Sequence, residues 1–243
     1  MSYILIIGAK SDIAKSVARK YAENGYDIYL AARNSSELED FANDINLRTQ
    51  KTAICLDLDI LDIASHESFY NRLEEKPLGI ISVAGYLGEQ DKAQVDFNES
   101  KKIIDTNYVG IVSLINIVAN DFEKRKSGFI VGISSVAGDR GRKSNYIYGS
   151  AKAALTTYLS GLRNRLHEAN IQVLTVKPGF VATKMTEGMD LPEKLTAQPE
   201  EVANDIFNAQ QKGKNVLYSK WIWRWVMVII KSIPEFQFKK MSI

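Results

Sequence analysis

The sequence predicts an α/β fold: a single doubly wound parallel sheet of about seven strands, with helices on both faces. Two observations predict it. Short, nearly unbroken apolar runs recur along the whole chain, and a helix-length amphipathic stretch separates each from the next. Strands buried on both faces read as such runs, and the intervening helices cover them. Right-handed crossovers then make a doubly wound sheet the natural packing. A third observation sets the domain count at one, because no Pro/Gly/Ser-rich linker, repeat or low-complexity tract divides residues 1–243.

The first strand is "YILII" (3–7), followed by the helical "SDIAKSVARKYAEN". "DIYLAA" (27–32) is the second, and "SELEDFANDINL" returns the chain to "TAICLDL" (52–58), the third. "GIISVA" (79–84) precedes the long helical stretch "ESKKIIDTNYVGIVSLINIVANDFEKR". "GFIVGIS" (128–134) and "IQVLTVK" (171–177) flank an Ala-rich helix that begins near residue 148, and "NVLY" (215–218) is a weaker seventh strand. In open parallel sheets ligands bind beyond the carboxyl ends of the strands. The distinctive segments follow strands one to six, so they converge on that edge.

Composition narrows the function classes. With 45% hydrophobic residues, the 243-residue chain can bury a sizeable core. Its 31 basic and 29 acidic residues nearly balance, which gives no support to a nucleic-acid-binding stripe. The lone Cys55 cannot form an internal disulfide and fits a reducing compartment, and His66 and His167 have no ligand-like spacing, so no metal is expected. The N-terminus lacks the basic start of a signal peptide, and no apolar run approaches the ~20 residues of a membrane-spanning helix. A cytoplasmic protein is expected, with at most peripheral contact at the inner face of the membrane.

The turn after the first strand, "IIGAKSDIAKSVA" (6–18), has the form of a phosphate-binding βα turn. There Gly8, Lys10, Ser11, Asp12 and Ile13 would bring main-chain amides and a helix N-terminus to a dinucleotide pyrophosphate. Only Gly8 remains of the glycines usual in such turns, and an acid at position 12 requires its carboxylate to turn away from phosphate. An ordinary capped turn with Ser11 or Asp12 as N-cap gives the same local pattern. After the second strand, neutral Ala32 stands where an acid would bind a ribose 2′-hydroxyl, and Arg33 suits a 2′-phosphate, which favours NADPH over NADH. Asp57 with Leu58, after the third strand, can accept from an adenine amino group.

Tyr148 is the only one of 11 tyrosines with a lysine four residues on, Lys152, and i,i+4 side chains share a helix face. Ser135 lies thirteen residues before it, Asn107 stands in "DTNYVG", and Pro178-Gly179 and Thr183 stand in "KPGFVAT". Together these segments resemble the short-chain dehydrogenase/reductase family, whose single Rossmann-like domain the whole chain would form. The resemblance implies a catalytic set of Asn107, Ser135, Tyr148 and Lys152. It also implies nicotinamide contacts from Tyr148, Lys152, Pro178, Gly179, Val181 and Thr183, and a sheet-end contact from Ala84 and Gly85 in "SVAG". Carbonyl reduction needs a proton for the developing alkoxide. The Lys152 ammonium should lower the Tyr148 pKa from its ordinary value of about 10, and Ser135 should hold the substrate oxygen. Asn107 would position a relay water and also satisfy main-chain groups at a helix kink.

The segments 134–155, 86–94 and 225–243 are similar to decaprenylphosphoryl-2-keto-ribose reductases within that family. This implies reduction of the 2-keto group of a polyprenyl-phosphate-linked pentose in cell-envelope synthesis. Arg140 and Arg142 in "RGRK" offer bidentate contacts to a substrate phosphate, although a solvated basic loop fits equally. The apolar, basic segment 219–243 suits a membrane interface, an acyl channel, a core helix or a subunit interface. Residues 180–199, with Met185 and Met189, read as a substrate loop. Homo-oligomerisation through the long fourth and fifth helices follows from family habit. Reduction of a soluble keto-sugar or other small carbonyl compound is the alternative activity, and a catalytically silent dinucleotide-binding protein is the alternative class.

Overall fold

Strands form where the apolar runs were. In the computed structural model, which describes residues 2–241, they are β1 (Tyr3–Ile7), β2 (Asp27–Ala32), β3 (Ala53–Asp57), β4 (Gly79–Ser82), β5 (Phe129–Ile133), β6 (Gln172–Pro178), β7 (Phe180–Val181), β8 (Thr196–Ala197) and β9 (Val216–Ser219). The last two residues of the 219–243 segment lie outside the described residues. Seven strands pair in parallel in the order β3-β2-β1-β4-β5-β6-β9, with Ile4 opposite both Ile28 and Gly79. The order reverses between β1 and β4, which opens a crevice at their carboxyl ends.

The helices are α1 (Asp12–Glu23), α2 (Glu39–Thr49), α3 (His66–Asn71), α4 (Gln90–Ala93), α5 (Phe97–Ile104), α6 (Gly110–Arg125), α7 (Tyr146–Arg165), α8 (Pro199–Gln211), α9 (Ile222–Ser232) and α10 (Glu235–Phe238). One sheet face packs Ile4 and Ile6 against Val17 and Tyr21 of α1 and Ile206 of α8. The other packs Leu5 and Ile7 against Leu114 and Val118 of α6 and Leu155 and Leu159 of α7. By length and composition the 29-residue helix Phe97–Arg125 has the measure of a membrane span, but its Ile111, Leu114, Val118 and Phe122 are buried against the sheet. One wide turn, Asp105–Val109, interrupts it.

Three features depart from the sequence reading. The fourth strand ends at Ser82 rather than 84, so Val83 to Gly85 leave the sheet along the crevice. The short strands β7 and β8, two residues each, pair through Phe180–Thr196 and Val181–Ala197 and close the base of the 182–195 loop. The tail helix α9 is not apolar-buried all round. Trp223 and Met227 pack on Val136, while Trp221, Trp225, Val228 and Ile229 are 74%, 58%, 55% and 64% exposed.

Candidate active site

The crevice starts at the β1–α1 turn. Gly8 has φ +79°, and a Cβ there would lie 2.7 Å from the amide of Ala84, so only glycine lets this turn rest on the chain leaving β4. Ser11 caps α1 by accepting from Ala14 N at 3.1 Å. The other N–H groups of the first turn have no preceding helical carbonyl to take them. The Asp12 carboxylate is turned onto the 182–195 loop, where it accepts from Lys184 N at 2.9 Å. Lys10 pairs with Glu37 at 2.9 Å.

At the next strand end Arg33 is exposed, and Asn34 adopts a left-handed conformation, φ 49°. The Ser35 amide donates to Asp57 Oδ1 at 2.8 Å, so Asp57 organises the Arg33 turn and has its second oxygen available to a ligand. Leu58 is buried.

Glycine also brings the catalytic candidates together. A Cβ on Gly138 would sit 2.7 Å from Ala153 N, and one on Gly149 would sit 2.7 Å from Ala137 O, so the 135–139 segment lies flush on the first turns of α7. Ser134 anchors that contact through Lys152 O at 2.9 Å and Thr156 Oγ1 at 2.7 Å. Ser135 Oγ, next in sequence, accepts from Ala137 N at 3.1 Å and lines the crevice with Tyr148 and Lys152.

Lys152 is buried, lies 5.6 Å from the centre of the Tyr148 ring and donates to Ile133 O at 3.0 Å. Burial lowers its pKa to about 7. Burial likewise pushes the Tyr148 hydroxyl up to about 12, with the Ser135 side chain acting in the opposite direction. This corrects the expectation that the lysine charge would dominate the tyrosine. Desolvation outweighs the attraction because the same dry pocket disfavours both charged forms.

Asn107 is fully buried in the wide turn between α5 and α6. Its amide donates to Ile103 O at 2.8 Å and Tyr86 O at 2.6 Å, and its oxygen accepts from Tyr86 N at 3.3 Å. Both donors are used, so the side chain clamps the chain beyond β4. Only a lone pair of its oxygen is left for water.

These residues border one cavity of about 460 Å³. Lys10, Ser11, Asp12 and Ile13 line one part, and Gly85, Ser135, Tyr148 and Lys152 another. Pro178, Gly179, Val181 and Thr183 complete it, with Met185 and Met189 of the loop. A more open groove of about 870 Å³ lies across the loop and shares Asp12, Thr183 and Met189. Gly8, Arg33, Asp57, Leu58, Ala84 and Asn107 are not among the residues that line the cavity.

Arg140 is a correction. Its guanidinium does not face the cavity: it donates to Ile230 O and Ile233 O, each at 2.6 Å, pairs with Glu235 at 3.0 Å and stacks on Phe238 at 3.7 Å. Free carbonyls at the end of α9 attract this cation, so Arg140 ties the chain between Ser135 and Tyr148 to the tail instead of meeting a phosphate. Arg142 does line the cavity.

Sequence reasoning missed several participants. Asp139 accepts from Lys177 Nζ at 2.5 Å and Tyr218 O–H at 2.7 Å, which joins the chain after Ser135 to β6 and β9. Gln90 and Asn145 line the cavity, and Trp223 of α9 lies against Gly179. Lys177 is the one charged residue in β6, a signal that it needed a buried partner. Gln90 and Asn145 carry no comparable sign.

A family model described as short chain dehydrogenase matches residues 2–194. An uncharacterised oxidoreductase of Mycobacterium tuberculosis is 36% identical over 241 residues, 98% of this chain and 96% of the relative. An NADP-dependent 3-hydroxy acid dehydrogenase of Schizosaccharomyces pombe is 28% identical over 229 residues, 88% of each chain. A solved short-chain dehydrogenase from Sphingobium yanoikuyae in complex with NADPH shares the fold, with TM-score 0.84, 24% identity and 97% coverage of both chains. With the cavity between the switch point of the sheet and the Tyr148–Lys152 pair, these matches establish that the chain belongs to the short-chain dehydrogenase family, an oxidoreductase acting between CH–OH and C=O with a nicotinamide cofactor.

Proposed function

We propose that the protein is an NADPH-dependent carbonyl reductase in which Tyr148 donates the proton. The observation that carries this reading is the meeting of Ser135, Tyr148 and Lys152 on a cavity that begins at the N-terminus of α1. The site suits the cofactor. The Gly8 turn has no side chain to obstruct it, and the Asp12 carboxylate is engaged by Lys184 N. Exposed Arg33, with no acid at Ala32, suits a 2′-phosphate. Lys10, Ser11 and Ile13 would hold the pyrophosphate, Arg33, Asp57 and Leu58 the adenosine, and Gly85, Lys152, Pro178, Gly179, Val181 and Thr183 the nicotinamide half. When bound, the cofactor supplies a hydride to the carbonyl carbon.

The chain's residues handle the oxygen. Ser135 orients the carbonyl oxygen and Tyr148 gives it a proton. A hydroxyl held at about 12 stays protonated at neutral pH and is ready to donate. Lys152, drawn to about 7 by burial, regains its proton beside a polar ligand and then stabilises the phenolate that donation leaves. Asn107 keeps the chain at Tyr86 in place for both.

The finer reading is a 2-keto pentose on a polyprenyl phosphate, reduced in the cytoplasm at the inner membrane face by a homo-oligomer. The exposed tryptophans and aliphatics of α9, with exposed Arg224, Lys231, Lys239 and Lys240, support it as an interfacial surface. The S. pombe relative, by name a hydroxy acid dehydrogenase, favours a soluble acid as the second reading.

The test is Tyr148→Phe. We expect NADPH oxidation across a carbonyl panel to fall by at least about 100-fold, while NADPH still binds more tightly than NADH in a manner weakened by Arg33→Ala. A folded Tyr148→Phe variant with undiminished turnover refutes the assignment.

A further inference from the structure

Three buried polar atoms in the described residues lack a protein partner and belong to cavity-lining side chains: Arg142 Nε, Gln90 Nε2 and Asn145 Oδ1. Arg142 is the informative one. It is only 9% exposed, and no carboxylate of the described residues pairs with it. Its hydrogen bond is from Nη2 to Met227 Sδ at 3.3 Å, a weak acceptor. The acid whose field it feels, Asp139, is already held by Lys177 at 2.5 Å and Tyr218 at 2.7 Å. A buried cation without a counter-ion is costly, and an anion that meets it with good hydrogen-bond geometry offsets part of that cost.

The neighbouring groups extend the pattern. Gln90 Oε1 accepts from Ile147 N at 3.2 Å, which orients the side chain so that its amide N–H groups face away from that contact, and Nε2 has no acceptor. Asn145 Oδ1 is the complementary case, an acceptor without a donor. Guanidinium and amide donors match an oxyanion, and an acceptor on a residue lining the same cavity matches a hydroxyl. Exposed Lys143, by contrast, is a solvated charge outside the cavity wall.

We propose that Arg142 and Gln90 form an oxyanion subsite of this cavity, so that the carbonyl substrate carries a carboxylate or phosphate group. The proposal rests on the reductase reading for its substrate, though the binding of an anion can be measured apart from turnover. Carboxylate and phosphate share this chemistry, and matched pairs of compounds separate them.

NADPH oxidation would be followed with acetoacetate against its methyl ester, and with a 2-pentulose 5-phosphate against the unphosphorylated 2-pentulose. At least one ionised member should exceed its neutral partner in kcat/KM by about tenfold or more, chiefly through KM. The pair that shows it identifies the anion. Arg142→Met should bring the ratio close to one, Gln90→Leu should reduce it severalfold, and Lys143→Met should leave it unchanged. NADPH binding checks that each variant is folded.

The second arm titrates inorganic phosphate and malonate into NADP⁺-saturated Tyr148→Phe protein by calorimetry. Binding that is lost on adding Arg142→Met or weakened by Gln90→Leu supports the subsite even if no carbonyl in the panel is reduced. Equal kcat/KM within both pairs, a preference that survives Arg142→Met, or no anion binding to the saturated protein each overturns it. In those cases turnover dependent on Tyr148 would leave the reductase reading standing.

Discussion

Lys152 and Tyr148 carry opposite shifts that make stability depend on pH in a defined way. The lysine is held at about 7 against an ordinary 10.5, so between those values the unfolded chain binds more protons and stability rises with pH. Tyr148 is held at about 12 against an ordinary 10.0, so above 10.0 the folded chain binds more and stability falls. Between about pH 7 and pH 9 the melting temperature of the cofactor-free protein should therefore gain a contribution that Lys152→Met lacks, as measured by scanning fluorimetry in matched buffers. An identical pH response in the two proteins would show that the ammonium is not desolvated. The Tyr148–Lys152 pair was legible in the sequence because its i,i+4 spacing is local to one helix, whereas Ser135 joined it only through the family resemblance. The shifts were not, because they depend on how much protein surrounds the pair.

At the scale of elements, the inner strands were visible as apolar runs because burial on both faces leaves little choice of residue type. The half-exposed edge strands β3 and β9 gave a weaker pattern, β9 the weakest. The β7–β8 pair was not visible, because two residues carry no periodicity and pairing across the 182–195 loop is set by tertiary contact. The Lys177–Asp139 pair is of the same kind: the odd lysine in β6 was visible, but its partner lies 38 residues away. Both side chains are largely buried, at 10% and 3% exposed. Lys177→Met should cost about 3–5 kcal/mol by leaving Asp139 unpaired, and Lys177→Met with Asp139→Leu should recover much of it. Urea denaturation with the double-mutant comparison tests this, and equal losses in the single and double variants would count against a true pair.

For the whole molecule, the fold class followed from the alternation of apolar runs with helix-length stretches, and the edge where ligands bind from motifs placed after successive strands. The tail was harder to read because its apolar residues divide between two destinations, Trp223 and Met227 inward and Trp221, Trp225, Val228 and Ile229 outward. The outward set with its cations should sediment the protein with vesicles containing anionic phospholipid. Trp221→Ser with Trp225→Ser should release it, as should high salt in part. A protein that ignores vesicles but forms dimers dissociated by the same substitutions would show that a second copy covers this face.

The bond network of Arg140 ties the tail to the cavity-lining chain between Ser135 and Tyr148. Its guanidinium closes the end of α9 while its backbone belongs to the chain between Ser135 and Tyr148, and Met227, farther back along α9, touches Arg142. An α-helix with its side chains is only about 10–12 Å across. Anything that seats against Trp225 therefore presses on a rod that backs two residues of the cavity wall, Arg142 through Met227 and Gly179 through Trp223, so a change at the tail is felt from behind that wall.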